Sequence, residues 1–134
     1  MLDMAKEAYD ADEIPVAAII VRNNEIVGYG INTRNADKNV LGHAEINAIV
    51  MASKNIGDWR LDDCDMYVTL IPCMMCSGAI IESRIRKVYY LCDKTNDYVN
   101  VVRYTLCEKI NDDLACGEYL KLLQLFFENK RNKE

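Results

Sequence analysis

The 134-residue chain has one histidine, His43 in the tripeptide His43-Ala44-Glu45, and one close cysteine pair, in Pro72-Cys73-Met74-Met75-Cys76. Two thiolates and an imidazole suit a divalent metal. As three ligands of a zinc tetrahedron they leave the fourth position to water, which is the arrangement of a catalytic site rather than a structural one. No fourth histidine or cysteine ligand is supplied nearby. Cys73 and Cys76 are three residues apart, so in a first helical turn their sulfurs lie on one side, near the positive end of the helix dipole that favours thiolates. Glu45 would stand about 200° round from His43 deep inside a helix. At a helix start the first side chains splay past the end of the axis, so the imidazole can reach the metal while the carboxylate reaches the bound water. The metal lowers the pKa of that water toward about 7, and a carboxylate beside it takes the proton and hands it on to a substrate ring and leaving group. That chemistry is hydrolysis.

Blander readings stand beside this one. A lone C-x-x-C is also the pattern of a redox pair, but its coupling to the only histidine of the chain fits a metal better. A structural zinc would want a fourth ligand. Glu45 alone would read as a solvated carboxylate and His43 alone as a core residue; the cysteine pair makes both readings weak. Cys64, Cys92, Cys107 and Cys116 sit singly in apolar segments. Disulfide frameworks belong to small secreted domains, so these four read as buried small hydrophobes.

The elements that must position these residues follow from periodicity. Leu2, Ala5, Ala8 and Tyr9 have helical spacing, and Ile14-Pro15 ends that segment. Val16 to Val21 and Glu25 to Ile31 flank Asn23-Asn24 as a hairpin. Residues 32–42 are rich in turn formers and read as a loop, feeding a helix from near His43 to Lys54 with Ile46, Ile49 and Val50 on one face. Asp65 to Leu70 is a strand, and Pro72 opens a second helix through Met75, Ala79, Ile80 and Ile81. Ile85 to Leu91 is a strand, Cys92 to Val99 is polar, and Val101 to Ile110 is a further strand. Leu114 to Asn129 is a helix with Leu120, Leu123 and Phe127 on its inner side. The order α-β-β-α-β-α-β-β-α predicts an α/β fold, a three-layer α-β-α sandwich around a mixed sheet of about five strands. Residues 1–134 read as a single domain.

The net charge of −5 argues against broad capture of a polyanion, so any nucleic-acid contact must be local. No apolar run approaches the roughly 18 to 20 residues of a membrane span, and the acidic start does not resemble a secretory signal. The expected location is cytoplasmic, with no membrane contact.

H-x-E followed by P-C-x-x-C is the signature of zinc deaminases of nucleobases. The sequence resembles the cytidine-deaminase superfamily and, within it, the bacterial tRNA adenosine deaminases, which convert the wobble adenosine to inosine. The likeness covers almost the whole chain. It runs through Met4-Ala5-Lys6-Glu7-Ala8, Ile14-Pro15-Val16, Gly30-Ile31-Asn32, the two metal motifs, Tyr67-Val68-Thr69-Leu70, Ser77-Gly78-Ala79-Ile80-Ile81, Ser83-Arg84-Ile85, and Leu122 to Arg131. The resemblance implies a cytidine-deaminase-like fold in which Glu45 is catalytic and His43, Cys73 and Cys76 hold one Zn²⁺ per chain. It further implies that Asn32 hydrogen-bonds the nucleoside, that the backbone N–H of Ala44 orients the base, and that Ile14 and Leu70 line the base pocket. The implied partners are a tRNA anticodon loop and a second copy of the chain in a homodimer.

Three departures bear on substrate. Ile71 stands where the family has Glu before the Pro-Cys pair, residues 38–42 replace its usual loop before the histidine, and the segment after Tyr90 is short and lacks a Gly-rich turn. The acidic pI and that short segment favour a rival, a deaminase of a free base or nucleoside such as cytosine or guanine. A catalytically silent RNA-binding subunit is a second rival, but it would have no use for Glu45. The Lys130-Arg131-Asn132-Lys133 cluster offers phosphate contacts that the rest of an acidic surface denies.

Overall fold

In a computed structural model of the chain, the described residues are 1–93 and 106–133, the side chains of 131–133 excepted. Asn23 and Asn24 both adopt left-handed backbone, φ 51° and 63°, which Asn tolerates and a tight hairpin turn of matching twist needs. They join β1 (Ala17–Arg22) to β2 (Glu25–Ile31). β1 also pairs antiparallel with β3 (Asp65–Leu70). Beyond it β4 (Lys87–Cys92) and β5 (Cys107–Lys109) add in parallel, giving a mixed sheet of order β2-β1-β3-β4-β5.

Five helices accompany these strands among the described residues: α1 (Leu2–Asp10), α2 (Arg34–Asp37), α3 (Ala44–Ile56), α4 (Met74–Glu82) and α5 (Asp113–Lys133). Alternation along the strands sends Ala18, Ile20, Met66, Val68 and Val88 into one core with Ala44, Ala48, Ala52 and Ile80 of α3 and α4. Ala17 and Leu91 point the other way, into a second core with Ala5 of α1 and Tyr119 and Leu123 of α5. Those two cores make the three-layer sandwich that the element order predicts. No described helix is long and apolar enough to cross a membrane.

Several local expectations fail for identifiable reasons. The inner face of α3 is Ala44, Ala48 and Ala52, whereas Val50 is 47% exposed. Small residues are needed there because the helix lies directly on Gly28 and Gly30 of β2. A Cβ on Gly28 would stand 2.5 Å from the Ala48 carbonyl oxygen, and one on Gly30 2.7 Å from the Ala48 nitrogen. The inner side of α5 is Tyr119, Leu123 and Phe126, while Leu120 is 43% exposed. The loop at 32–42 contains α2. Of the four single cysteines only Cys64 and Cys92 are buried, and Cys92 is joined to Cys116 by a disulfide, with Cα atoms 5.5 Å apart, because α5 docks on the end of β4. This overturns the reading of that pair as isolated hydrophobes. The expected strand over 101–110 is seen as Cys107–Lys109. Residues 101–105 lie outside the described residues, as does most of the polar stretch and of the short segment after Tyr90.

Candidate active site

The topology gathers the site at one end of the sheet's strands. β1 runs antiparallel to both of its neighbours, so the chain entering β1 (Ile14 to Val16) lies beside the end of β2 (Ile31, Asn32) and the end of β3 (Leu70, Ile71). From those two strand ends the chain turns into α3 and α4. His43 is the N-cap of α3 and Cys73 the N-cap of α4, both in extended backbone, so the two helix starts present their side chains beyond the helix axes.

Nδ1 of His43 lies 3.7 Å from Sγ of Cys73 and 3.5 Å from Sγ of Cys76, and the three donor atoms all lie within 4.8 Å of one another. Zinc bond lengths place ligand atoms at tetrahedral corners roughly 3.5 to 3.8 Å apart, so the spacing and the donor set both fit zinc. Electrostatics agrees. A hydrogen bond from the Cys76 thiol, followed by the N–H groups of Cys76 and Met75 at the start of α4, pulls Cys73 down to about 5 against the opposing effect of burial. The bond to Cys73, burial, and the nearby Glu45 push Cys76 well up. One thiolate thus forms readily and opposes the second, an opposition that a cation between them removes.

Glu45 is 4% exposed, in the first turn of α3. Burial pushes its carboxyl up to about 7; its own N–H and a hydrogen bond from Cys76 act in the other direction, while the charge of Cys73 adds to the rise.

Beside these groups a cavity of about 130 Å³ is lined by Ile14, Asn32, His43, Glu45, Leu70 and Cys73. All six are residues that the sequence motifs or the family resemblance point to. Cys76 lies buried below, and Ala44 lies behind Asn32. The Ala44 N–H donates to Oδ1 of Asn32 at 2.8 Å, so that donor fixes the amide, and the Nδ2 group of Asn32 carries no hydrogen bond among the described residues. Val16, Ile71, Leu123 and Phe127 also line the cavity. The helical pattern of α5 marked Leu123 and Phe127 as packing residues only, and no local signal could say that this helix ends its path across the sheet at the site. Ile71 does face the pocket, so the departure from Glu makes that wall apolar. Lys130 is engaged elsewhere, 3.0 Å from Asp12. A larger cavity of about 590 Å³ lies at the β2 edge, near Met4, Tyr29 and Met51, away from the metal donors.

Residues 1–92 match the cytidine and deoxycytidylate deaminase zinc-binding region. The tRNA-specific adenosine deaminase of Buchnera aphidicola subsp. Schizaphis graminum is 38% identical over 94% of this chain and 90% of its own length. A structure solved in work on A-to-I editing by tRNA:A34 deaminases is 39% identical over 69% of this chain and 72% of that one, with a TM-score of 0.68. The guanine deaminase of Bacillus subtilis is 27% identical over 90% of this chain and 88% of its own, with a TM-score of 0.67.

Proposed function

The chain belongs to the family of cytidine and deoxycytidylate deaminases, and on that premise we propose that it is a zinc-dependent hydrolytic deaminase converting adenosine to inosine at the wobble position of tRNA. The observation that carries the chemistry is the three-donor cluster of His43, Cys73 and Cys76 with the buried Glu45 against it. The choice of tRNA rests on relatives named as tRNA-specific adenosine deaminases, those of Buchnera aphidicola subsp. Schizaphis graminum and Aquifex aeolicus being covered over 90% and 89% of their length.

In this reading His43, Cys73 and Cys76 hold one zinc ion per chain. When bound, the zinc supplies the Lewis acidity that makes water a nucleophile near neutral pH. Glu45 would take one proton from the attacking water and pass it to the ring nitrogen, then take the second from the hydroxyl added to the ring and pass it to the amine, so that the C–N bond breaks as ammonia leaves. Its apolar surroundings raise its hold on a proton, which suits a group that must both take and give. Asn32, its Oδ1 held by the Ala44 N–H, turns Nδ2 toward the nucleoside. Ile14 and Leu70 enclose the base and exclude water. The cavity is smaller than the roughly 300–1,000 Å³ of clefts that hold whole small molecules, which suits a single base extruded from a polynucleotide.

A homodimer and a cytoplasmic location complete the proposal. Val40 and Leu41 on the loop before His43, Val50 on α3, and Met74 and Ile81 on α4 are exposed apolar side chains that a second copy would cover. With Lys130 paired to Asp12, contacts to RNA phosphates would fall to Arg131 and Lys133.

The test is ammonia release from an anticodon stem-loop carrying adenosine at the wobble position, set against free adenosine, guanine and cytosine. We expect the stem-loop to be deaminated fastest. If a free base or nucleoside is deaminated at least as fast, the tRNA assignment is wrong and the free-base reading takes its place.

A further inference from the structure

We propose that Glu13 is a positioning residue that sets the shape of the base pocket by holding the 33–42 loop. This rests on the deaminase reading for its catalytic consequence, but not for its structural one. The loop joins two parts of the site, Asn32 at its start and His43 at its end. Its neck is closed by the Thr33 N–H, which donates to the Gly42 carbonyl at 2.8 Å, and is too tight for a side chain at Gly42, whose Cβ would lie 2.8 Å from the Arg34 nitrogen. From the α3 side, Nδ2 of Asn47 donates to the Ile31 carbonyl and the Thr33 hydroxyl, both at 2.9 Å.

From the opposite side the loop is held by Glu13. Its side chain is 2% exposed, and its two oxygens accept the N–H groups of Asn35 at 3.0 Å and Ala36 at 2.8 Å. Among the described residues no lysine or arginine pairs with it. Among the described residues its hydrogen bonds come from the loop amides, and those amides at the start of α2 have no partner within the helix. The interaction is therefore mutual: without the loop the charge is buried unpaired, and without Glu13 two donors are. The adjacent Asp12 carbonyl accepts from Nδ2 of Asn35 at 3.2 Å. Ile14, next in the chain, is a wall of the pocket, and the Val16 carbonyl accepts the Asn32 N–H at 3.3 Å. Segment 12–16 and the two loop ends thus form one hydrogen-bonded frame around the cavity. Glu13 is its buried strut and touches no substrate.

The test uses the zinc-loaded protein with Glu13→Ala and Glu13→Gln. By amide hydrogen exchange, Glu13→Ala should lower protection at Thr33, Asn35, Ala36 and Ala44 by about tenfold or more, while amides of β1 and β3 keep wild-type protection and zinc content is unchanged. On the stem-loop substrate KM should rise by about tenfold, with a smaller loss in kcat, because the pocket that receives the base is loosened while the reacting groups remain. Glu13→Gln retains one acceptor oxygen and should recover KM to within about threefold. Wild-type protection at Thr33 and Ala44 in the Ala variant would overturn the proposal, as would a kcat loss with KM unmoved. Should Glu13→Ala not fold, Glu13→Gln decides: it lacks one of the two acceptors, so exchange should quicken at Asn35 or Ala36, and wild-type protection at both would overturn the proposal. If the wild type deaminates no RNA, the functional reading fails, and the exchange arm still decides the role of Glu13.

Discussion

Cys73 and Cys76 are the same residue type three positions apart, yet their environments drive them in opposite directions. Cys73 caps α4 and ionises readily; Cys76 is buried beside it and resists. Two negative sulfurs at this spacing need a cation, so replacing both with alanine should abolish zinc binding and, since metal binding is coupled to folding, lower thermal stability. Elemental analysis checks this, and full zinc retention in Cys73→Ala, Cys76→Ala would remove the assignment. The role proposed for Glu45 at the same distance scale is a different one. Glu45→Ala should stay folded and zinc-loaded and lose activity toward the upper end of the roughly 10² to 10⁴ range for acid-base steps, because one carboxylate serves several transfers. Turnover within about tenfold of wild type would show that the carboxylate moves no proton in the reaction.

At the scale of elements, the position of His43 depends on how closely α3 can lie on the sheet. Ala44, Ala48 and Ala52 meet Gly28 and Gly30 of β2, and nothing larger fits between them. Gly28→Ala brings a methyl within 2.5 Å of the Ala48 carbonyl, a backbone atom that cannot step aside without moving the helix. The expected destabilisation is about 1–3 kcal/mol, readable as a lower midpoint in denaturant, and the stem-loop reaction should slow as the N-cap of α3 shifts. A midpoint equal to that of wild type would mean that the helix has slack there. Periodicity alone puts Ile46, Ile49 and Val50 on one face; Ile49 does pack against the core, but Val50 is exposed. Hydrophobicity ranks those residues highest, but closeness of approach selects alanine.

At the scale of the whole molecule, an acidic protein must bind a polyanion through few contacts. Asn129 donates to the Tyr9 hydroxyl of α1 at 2.7 Å and Lys130 pairs with Asp12 just beyond that helix, so the end of α5 is fastened to this segment. A truncation would undo that fastening along with the charge, so substitution gives the clearer comparison. Arg131→Ala with Lys133→Ala should weaken stem-loop binding and lower its salt dependence by about one unit of slope for each phosphate that is no longer neutralised. An unchanged slope, measured by titration across salt, would place the phosphate-binding cations elsewhere on the molecule.

The chemistry proposed for this protein is legible in the sequence because metal ligation and proton transfer depend on residue type and short spacing. His43, Glu45, Cys73 and Cys76 declare themselves within two short motifs, and their places at helix starts follow from Pro72 and the turn formers before His43. The layer order was legible as well, since the period of apolar residues reports helix or strand directly. Only the tertiary structure decided what surrounds those groups. Leu123 and Phe127 close the pocket from a helix that lies in the opposite layer, the Ala44 N–H is bound to Asn32, and Cys116 meets Cys92. None of these follows from local spacing, because each depends on where elements far apart in the chain cross the end of one sheet. Glu13 belongs with them. In sequence it is one acid among 21, and only the loop folded over it makes it a buried support of the site.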